Sequence, residues 1–165
     1  MKIAICPGSF DPVTLGHLDI IRRTAALFDK VYVAVLKNSE KKALFTPDQR
    51  MELLRKCIGD MRNVEIITFS GLLVDCAEKC GARTIVKGLR AVTDFEYEFQ
   101  MALINKKLCP DLETMFLTTD AKYMYLSSSI VKEVAKNGGE IADFVHSAVA
   151  EEIKNAIEKE NHNEN

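Results

Sequence analysis

The chain has 165 residues, 47% hydrophobic and 28% charged, which suits one domain around one core. A net charge of −2 supplies no global basic field for nucleic acid, so any phosphate chemistry must rest on a local cluster of cations. No apolar run reaches the roughly 18–20 residues of a membrane span, and the opening MKIAICPGSF lacks the long apolar core and small-residue cleavage site of a signal peptide.

The first predicted element is a strand, KIAIC at 2–6. Pro7 and Pro12 forbid an early helix, and Gly8 is expected to supply the turn of a fixed loop over 7–13. Thr14 is a good N-cap for a helix over 15–28, which puts Leu15, Gly16 and His17 at its first three positions. A purely structural design would place Glu or Gln at the third position and complete a capping box. Here His17 stands there, a cation beside the positive end of a helix, unfavourable by roughly 0.3–1 kcal/mol. Gly16 in the first turn is also a poor helix former, by about 1 kcal/mol relative to Ala. Both choices make sense if an anion docks on the free N–H groups and the imidazole. A histidine packed under the loop is the plainer alternative, but T-x-G-H after a strand and a proline-bounded turn points to a ligand.

KVYVAVL (30–36) reads as the second strand, followed by NSEKKALF with Lys41 and Lys42. Thr46, Pro47 and Asp48 start a helix over 47–58 with a cap, a proline at the first position and an acid in the first turn. NVEIITF (63–69), a helix over 71–80, RTIVKG (83–88), a helix over 92–107 and ETMFLTT (113–119) continue the alternation. On the helix over 92–107, Phe95, Phe99, Ala102 and Leu103 share one face, suited to a core or to an oligomer seam. After 119 the alternation ends. SSSIVKEVAK (127–136) opens a helix that NGG (137–139) stops, and a last helix over 146–158 carries Val149, Ile153 and Ile157 on one stripe, core or subunit contact. Strand–helix alternation at this interval implies an α/β fold: a doubly wound parallel five-stranded sheet, helices on both faces, and a C-terminal helical extension. Ligands of such sheets sit at the carboxyl ends of the strands where strand order reverses. Residues 1–160 read as a single domain and 161–165 as a polar tail.

Cys6, Cys57, Cys76, Cys80 and Cys109 make an odd count without C-x-x-C spacing, and His17, His146 and His162 are scattered. Reduced thiols in the cytoplasm are expected, and no metal-ligand set can be named. Neither G-x-x-x-x-G-K-[ST] nor G-x-G-x-x-G occurs, which argues against a Walker-type ATPase and a dinucleotide dehydrogenase.

PGSFDPVTLGH resembles the signature of the nucleotidylyltransferase superfamily, with its T/H-x-G-H motif. VKGLRAVTDFEYEFQMALIN (86–105) and LSSSIVKEVA (126–135) narrow the likeness to the bacterial phosphopantetheine adenylyltransferase family. The resemblance implies a Rossmann-like fold and direct in-line transfer of the adenylyl group of ATP to 4′-phosphopantetheine. The products would be dephospho-coenzyme A and pyrophosphate, with Mg²⁺ required and a homohexamer as the assembly. It implies His17 as transition-state stabiliser, with Lys41 and Arg90 also catalytic. ATP contacts are implied for Ser9, Phe10, His17, Gly88, Leu89, Arg90 and Glu98, for Tyr123, Met124, Tyr125 and Leu126, and for Ser127, Ser128 and Ser129. Acceptor contacts are implied for Ser9, Lys41, Leu73 and Lys87. Many members carry threonine where Ser9 stands, arginine at Lys87 and tryptophan at Tyr123; lysine keeps the charge but loses the bidentate fork. Rival readings are an enzyme of the same superfamily using nicotinamide mononucleotide or glycerol 3-phosphate, and a nucleotide-binding regulator without catalysis.

Overall fold

The computed structural model describes residues 1–37 and 43–163. Strands and helices alternate as β1 (Ile3–Gly8), α1 (Leu15–Leu27), β2 (Lys30–Leu36), α2 (Pro47–Ile58), β3 (Val64–Phe69), α3 (Leu73–Lys79), β4 (Thr84–Leu89), α4 (Val92–Leu108) and β5 (Glu113–Thr118). A short 3-10 turn (Ala121–Tyr123) then leads into α5 (Ser128–Lys136) and α6 (Ser147–Asn163). The five strands are parallel and lie in the order β3-β2-β1-β4-β5, a Rossmann-like, doubly wound sheet. The chain builds outward from β1 in one direction, then returns to its other side, so strand order reverses between β1 and β4.

The period-2 pattern of the strands sorts their side chains between two layers. Val33 and Val35 pack with Leu18 and Ile21 of α1, Leu53 and Leu54 of α2, Val131 of α5, and Val149 and Ile153 of α6. On the same side, Ala4, Cys6, Val31 and Val86 meet Ile20 of α1. Ile5, Ala34 and Ile85 face the other way, onto Val74 and Ala77 of α3. The stripe on the last helix is therefore core: Val149 and Ile153 are fully buried and Ile157 packs against them. The face carrying Phe95, Phe99 and Leu103 on α4 is not, since each is between 42% and 56% exposed.

Helix starts follow local chemistry. Thr46 caps α2, its hydroxyl accepting from the Gln49 N–H while the Gln49 side chain accepts from the Thr46 N–H. Ser127 caps α5 by accepting from the Ile130 N–H at 3.1 Å, and α5 ends at Asn137 before Gly138 at φ 76°.

The opening loop differs from expectation in two ways. The apolar run KIAIC predicts a strand ending at Cys6, and proline, which cannot donate to a ladder, follows it. β1 instead runs on through Pro7 and Gly8, in register with Ala34 and Val35. The missing N–H is tolerated because β1 has by then left β4, their pairing being confined to Ala4 opposite Thr84 and Ile5 opposite Ile85. Nor does Gly8 make the turn. Phe10 takes the left-handed φ of 48°, and Gly8 gives room to its ring, which a Cβ on Gly8 would approach to 3.0 Å.

Candidate active site

Because β1 and β4 part after Ile5, their carboxyl ends open a cleft of about 740 Å³. One wall is the loop after β1 (Ser9, Phe10, Asp11) with the first turn of α1. The other is the end of β4 with Lys87, Gly88 and Arg90, backed by Asp94, Tyr97 and Glu98 of α4. Tyr123, Leu126, the three serines Ser127–Ser129 and Lys132 close the far side.

Contrary to the expectation from sequence, His17 is neither a cation nor a break in the capping box. The Thr14 N–H donates to His17 Nδ1 at 3.0 Å, while the His17 N–H donates to Thr14 Oγ1 at 3.3 Å. This is a complete box in which an imidazole nitrogen takes the place of a carboxylate oxygen. With Nδ1 engaged as acceptor, the ring proton sits on Nε2. Burial lowers the His17 pKa from 6.5 to about 4, and the charges of Arg90 and Lys87 push the same way. The ring is therefore a neutral Nε2–H donor. Phe10 holds it edge-to-face with ring centroids 5.2 Å apart. Beside it, Gly16 has no packing reason to lack a side chain: a Cβ there would meet Tyr123 and Thr14 only at ordinary distances of 3.5 and 3.6 Å. An approaching ligand remains its physical account. Gly88 is different, because its Cβ would fall 2.8 Å from Ile20 of α1, so that glycine answers to helix–sheet packing.

Each cation at the end of β4 is held by a carboxylate of α4. Lys87 Nζ lies 3.0 Å from Glu98 Oε1. Arg90 donates from Nε and Nη2 to the two oxygens of Asp94, at 2.8 and 3.0 Å, and from Nη1 to the Leu126 carbonyl. On the opposite wall Lys132 Nζ lies 3.1 Å from Asp11 Oδ2. Asp11 also accepts from the N–H groups of Leu44 and Phe45, at 3.0 and 2.8 Å. Arg50 of α2 faces no carboxylate at ion-pair distance among the described residues; its Nη1 donates to the Ser9 and Leu36 carbonyls. Among the described lining residues the four cations Lys87, Arg90, Arg50 and Lys132 outnumber the carboxylates Asp11, Asp94 and Glu98. A surplus positive charge in a confined cleft favours an anionic guest.

The serine run divides its duties. Ser127 caps α5, and the Ser128 hydroxyl donates to the Pro12 carbonyl at 2.7 Å, tying α5 to the opposite loop. Ser129 is exposed at the rim of the cleft. The first N–H groups of α5 have no helical carbonyl to meet, and that of Ile130 is taken by the Ser127 hydroxyl.

Of the residues singled out by sequence, Ser9, Phe10, His17, Lys87, Gly88, Arg90 and Glu98 line one cleft together with Tyr123, Leu126 and Ser127–Ser129. Leu89, the end residue of β4, Met124 and Tyr125 are outside that lining, the last two more than half exposed. Leu73 packs beside Val74 and Ala77 on the face of the sheet that carries Ile5. Lys41 and Lys42 lie outside the described residues. Sequence reasoning missed Asp11, Arg50, Asp94 and Lys132. Arg50 had a signal: it shares an i, i+3, i+4, i+7 stripe with Leu53, Leu54 and Cys57, a cation on the buried phase of a helix.

The family described as cytidylyltransferase-like matches residues 5–134. The phosphopantetheine adenylyltransferase of Caldanaerobacter subterraneus subsp. tengcongensis is 57% identical over 159 residues, 96% of this chain and 99% of that protein. That of Clostridium tetani is 55% identical over 153 residues, 93% and 96% of the two chains. Among solved structures, the nicotinic acid mononucleotide adenylyltransferase of Plasmodium falciparum, complexed with NaAD, superposes with a TM-score of 0.67 over 97% of this chain and 96% of that one. At 15% identity this last likeness is one of fold.

Proposed function

The chain belongs to the cytidylyltransferase-like family and, within it, to the phosphopantetheine adenylyltransferases, and on that premise we propose how its cleft works. The enzyme transfers the adenylyl group of ATP to 4′-phosphopantetheine, giving dephospho-coenzyme A and pyrophosphate. The acceptor phosphate, with a second pKa of about 6, is already anionic at neutral pH, so no general base is needed. One of its oxygens attacks the α-phosphorus in line, the bond from that phosphorus to the bridging oxygen breaks, and pyrophosphate leaves without a covalent enzyme intermediate. What the protein supplies is position and a field that stabilises charge gathering on the α-phosphoryl oxygens.

In this reading His17 donates Nε2–H to an α-phosphoryl oxygen. Arg90 and the α5 N-terminus at Ser127–Ser129 take the outer phosphates. Lys87 and Lys41 take the acceptor phosphate, with Ser9 between the two anions. Phe10, Gly88, Leu89, Glu98 and Tyr123–Leu126 surround the nucleotide, and Leu73 meets the pantetheine arm. The observation that carries the reading is that the His17 imidazole, the Arg90 guanidinium and the Lys87 ammonium line one cavity at the strand-order reversal. Two mutually repelling phosphates need such a meeting point.

Mg²⁺ enters this scheme bound to ATP. The cleft carboxylates Asp11, Asp94 and Glu98 are each paired with a cation, and no cluster of three or more metal-binding side chains exists among the described residues. When bound, the ion would be held by triphosphate oxygens and water and would neutralise phosphate charge. The exposed apolar face of α4 suits a subunit contact, the homohexamer itself being what the family resemblance implies, and five free thiols suit the cytoplasm. Among the described residues no helix is long and apolar enough to cross a membrane.

The test is pyrophosphate release from ATP and Mg²⁺ with a panel of acceptors. Release with 4′-phosphopantetheine alone supports the reading. Release only with nicotinamide mononucleotide or glycerol 3-phosphate replaces it with another acceptor, and ATP binding without release replaces it with a regulator.

A further inference from the structure

The start of α4 departs from the other helix starts of the sheet. Its N-cap is Ala91, which has no side chain to close the first turn. An acid at the third helical position, where Asp94 stands, ordinarily turns back to the N–H of the cap residue. Asp94 spends both carboxylate oxygens elsewhere, on Arg90 Nε at 2.8 Å and Arg90 Nη2 at 3.0 Å. This is not a surface pair along a helix. The two residues are four apart, but Arg90 lies between β4 and α4, so no helical turn sets its side chain. Asp94 also lines the cleft, where a negative charge opposes the anions that the cations gather. An acid in that place needs a duty that offsets its repulsion.

The geometry of the pair supplies one. A carboxylate on the Nε–Nη2 edge fixes the plane of the guanidinium. The Leu126 carbonyl then accepts one N–H of Nη1. Three of the five N–H groups are thereby engaged, and one is left on each terminal nitrogen. A phosphate accepts that pair from an arginine in a two-point contact. Leu126 is itself buried and directly precedes Ser127, the cap of α5. The guanidinium is thus held from the α4 side by Asp94 and from the α5 side by Leu126, and it faces the cleft between them.

We propose that Asp94 is a positioning residue for the outer phosphates of ATP, setting the plane of the Arg90 guanidinium so that its two remaining N–H groups meet them together. The inference rests on the adenylyl-transfer reading above, in which Arg90 takes those phosphates. The other cleft donors are held independently of Asp94. Lys87 is paired with Glu98, and His17 is fixed by Thr14 and Phe10. Loss of the Asp94 charge therefore lets Arg90 turn about its side-chain bonds and leaves the donor to the inner phosphate in place.

The experiment measures binding of ATP and of AMP, each with Mg²⁺, by calorimetry on the full chain. AMP carries the inner phosphate and lacks the outer two. Asp94→Asn keeps the size of the side chain and removes its charge. It is expected to raise Kd for ATP at least about fivefold while Kd for AMP stays within about twofold. In an Arg90→Ala background no guanidinium is left to orient, so adding Asp94→Asn is expected to weaken ATP no further. Equal changes for both nucleotides, an unmoved ATP Kd, or the same added loss in the Arg90→Ala background would make Asp94 a residue of the helix start and overturn the inference. If Asp94→Asn does not fold, the same criteria decide on Asp94→Glu, which keeps the charge but displaces it by one methylene. Wild-type pyrophosphate release from ATP and 4′-phosphopantetheine, measured in parallel, separates the two levels. Silence there overturns the adenylyl-transfer reading and this inference with it, whereas wild-type turnover with an unselective variant overturns this inference only.

Discussion

The imidazole of His17 serves as helix cap through one nitrogen and, in the proposed mechanism, as phosphate donor through the other. Nδ1 belongs to Thr14, which leaves Nε2–H as the group that a phosphoryl oxygen would meet. Loss of one preorganised donor at a transition-state oxyanion typically lowers turnover by roughly 10²–10³-fold. His17→Ala is expected to lower kcat by about that factor with a much smaller change in ATP affinity, measured by single-turnover kinetics and calorimetry. Because that variant also loses the cap, His17→Gln is the control. Glutamine can restore the capping acceptor, so its Tm should lie near wild type while kcat stays low. The same residue predicts a pH dependence of stability. The folded pKa of about 4 is below the unfolded value of 6.5, so the unfolded chain holds more protons between the two. The contribution is complete above about pH 6.5, is lost as pH falls, and changes no further below about pH 4, where both states are protonated. Urea unfolding between those limits should show a slope of up to about 1.4 kcal/mol per pH unit from this group, absent in His17→Gln. A wild-type slope equal to the variant's would show that the ring is protonated in the fold. The T-x-G-H spacing made His17 legible as a ligand residue. Its neutrality was not legible, because that depends first on burial within the folded chain and then on the charges of Arg90 and Lys87, which arrive at the end of β4 some 70 positions along the chain.

At the scale of elements, periodicity carried most of the reading. All five strands and six helices fall where apolar spacing put them, with ends displaced by a few residues. Where an end moved, a tertiary partner moved it: β1 gains Pro7 and Gly8 because β2 continues beside it after β4 has turned away. The short 3-10 turn that places Tyr123 at the cleft is too brief to leave a period in sequence. Asp94 went unread, and Glu98 was read only as an ATP contact through the resemblance and not as the partner of Lys87, since an acid-studded helix looks the same whether its acids meet solvent or a cation. The close approach of β4 to α1 gives a sharp test. Gly88→Ala drives a methyl group to 2.8 Å from Ile20 and is expected to destabilise the fold by about 1–3 kcal/mol in urea titration. In an Ile20→Val background the same substitution should cost measurably less. Additive losses would place the strain elsewhere.

At the scale of the whole molecule, α4 looks two ways. Asp94 and Glu98 point to the cleft, while Phe95, Phe99, Leu103 and Ile104 are left in solvent, with Phe95 stacked on Phe99 at 5.4 Å. An apolar strip of this kind marks a contact surface. On the proposed homohexamer, Leu103→Lys is expected to shift the protein to smaller species at micromolar concentration in sedimentation velocity, while the far-ultraviolet dichroism of the subunit is retained. An unchanged mass would remove α4 from the interface. Sequence alone left this face open between core and seam, because hydrophobic spacing reports burial and not by whom.

The forking of β1 from β4 after Ile5 has one more implication. In the proposed mechanism the groups that meet substrate stand beyond the last rung the two strands share. Chemistry and architecture thus occupy successive stretches of the same strands. The walls of the fork can be rewritten to admit a different acceptor while the trunk below keeps its sequence, which gives such a scaffold room to diversify.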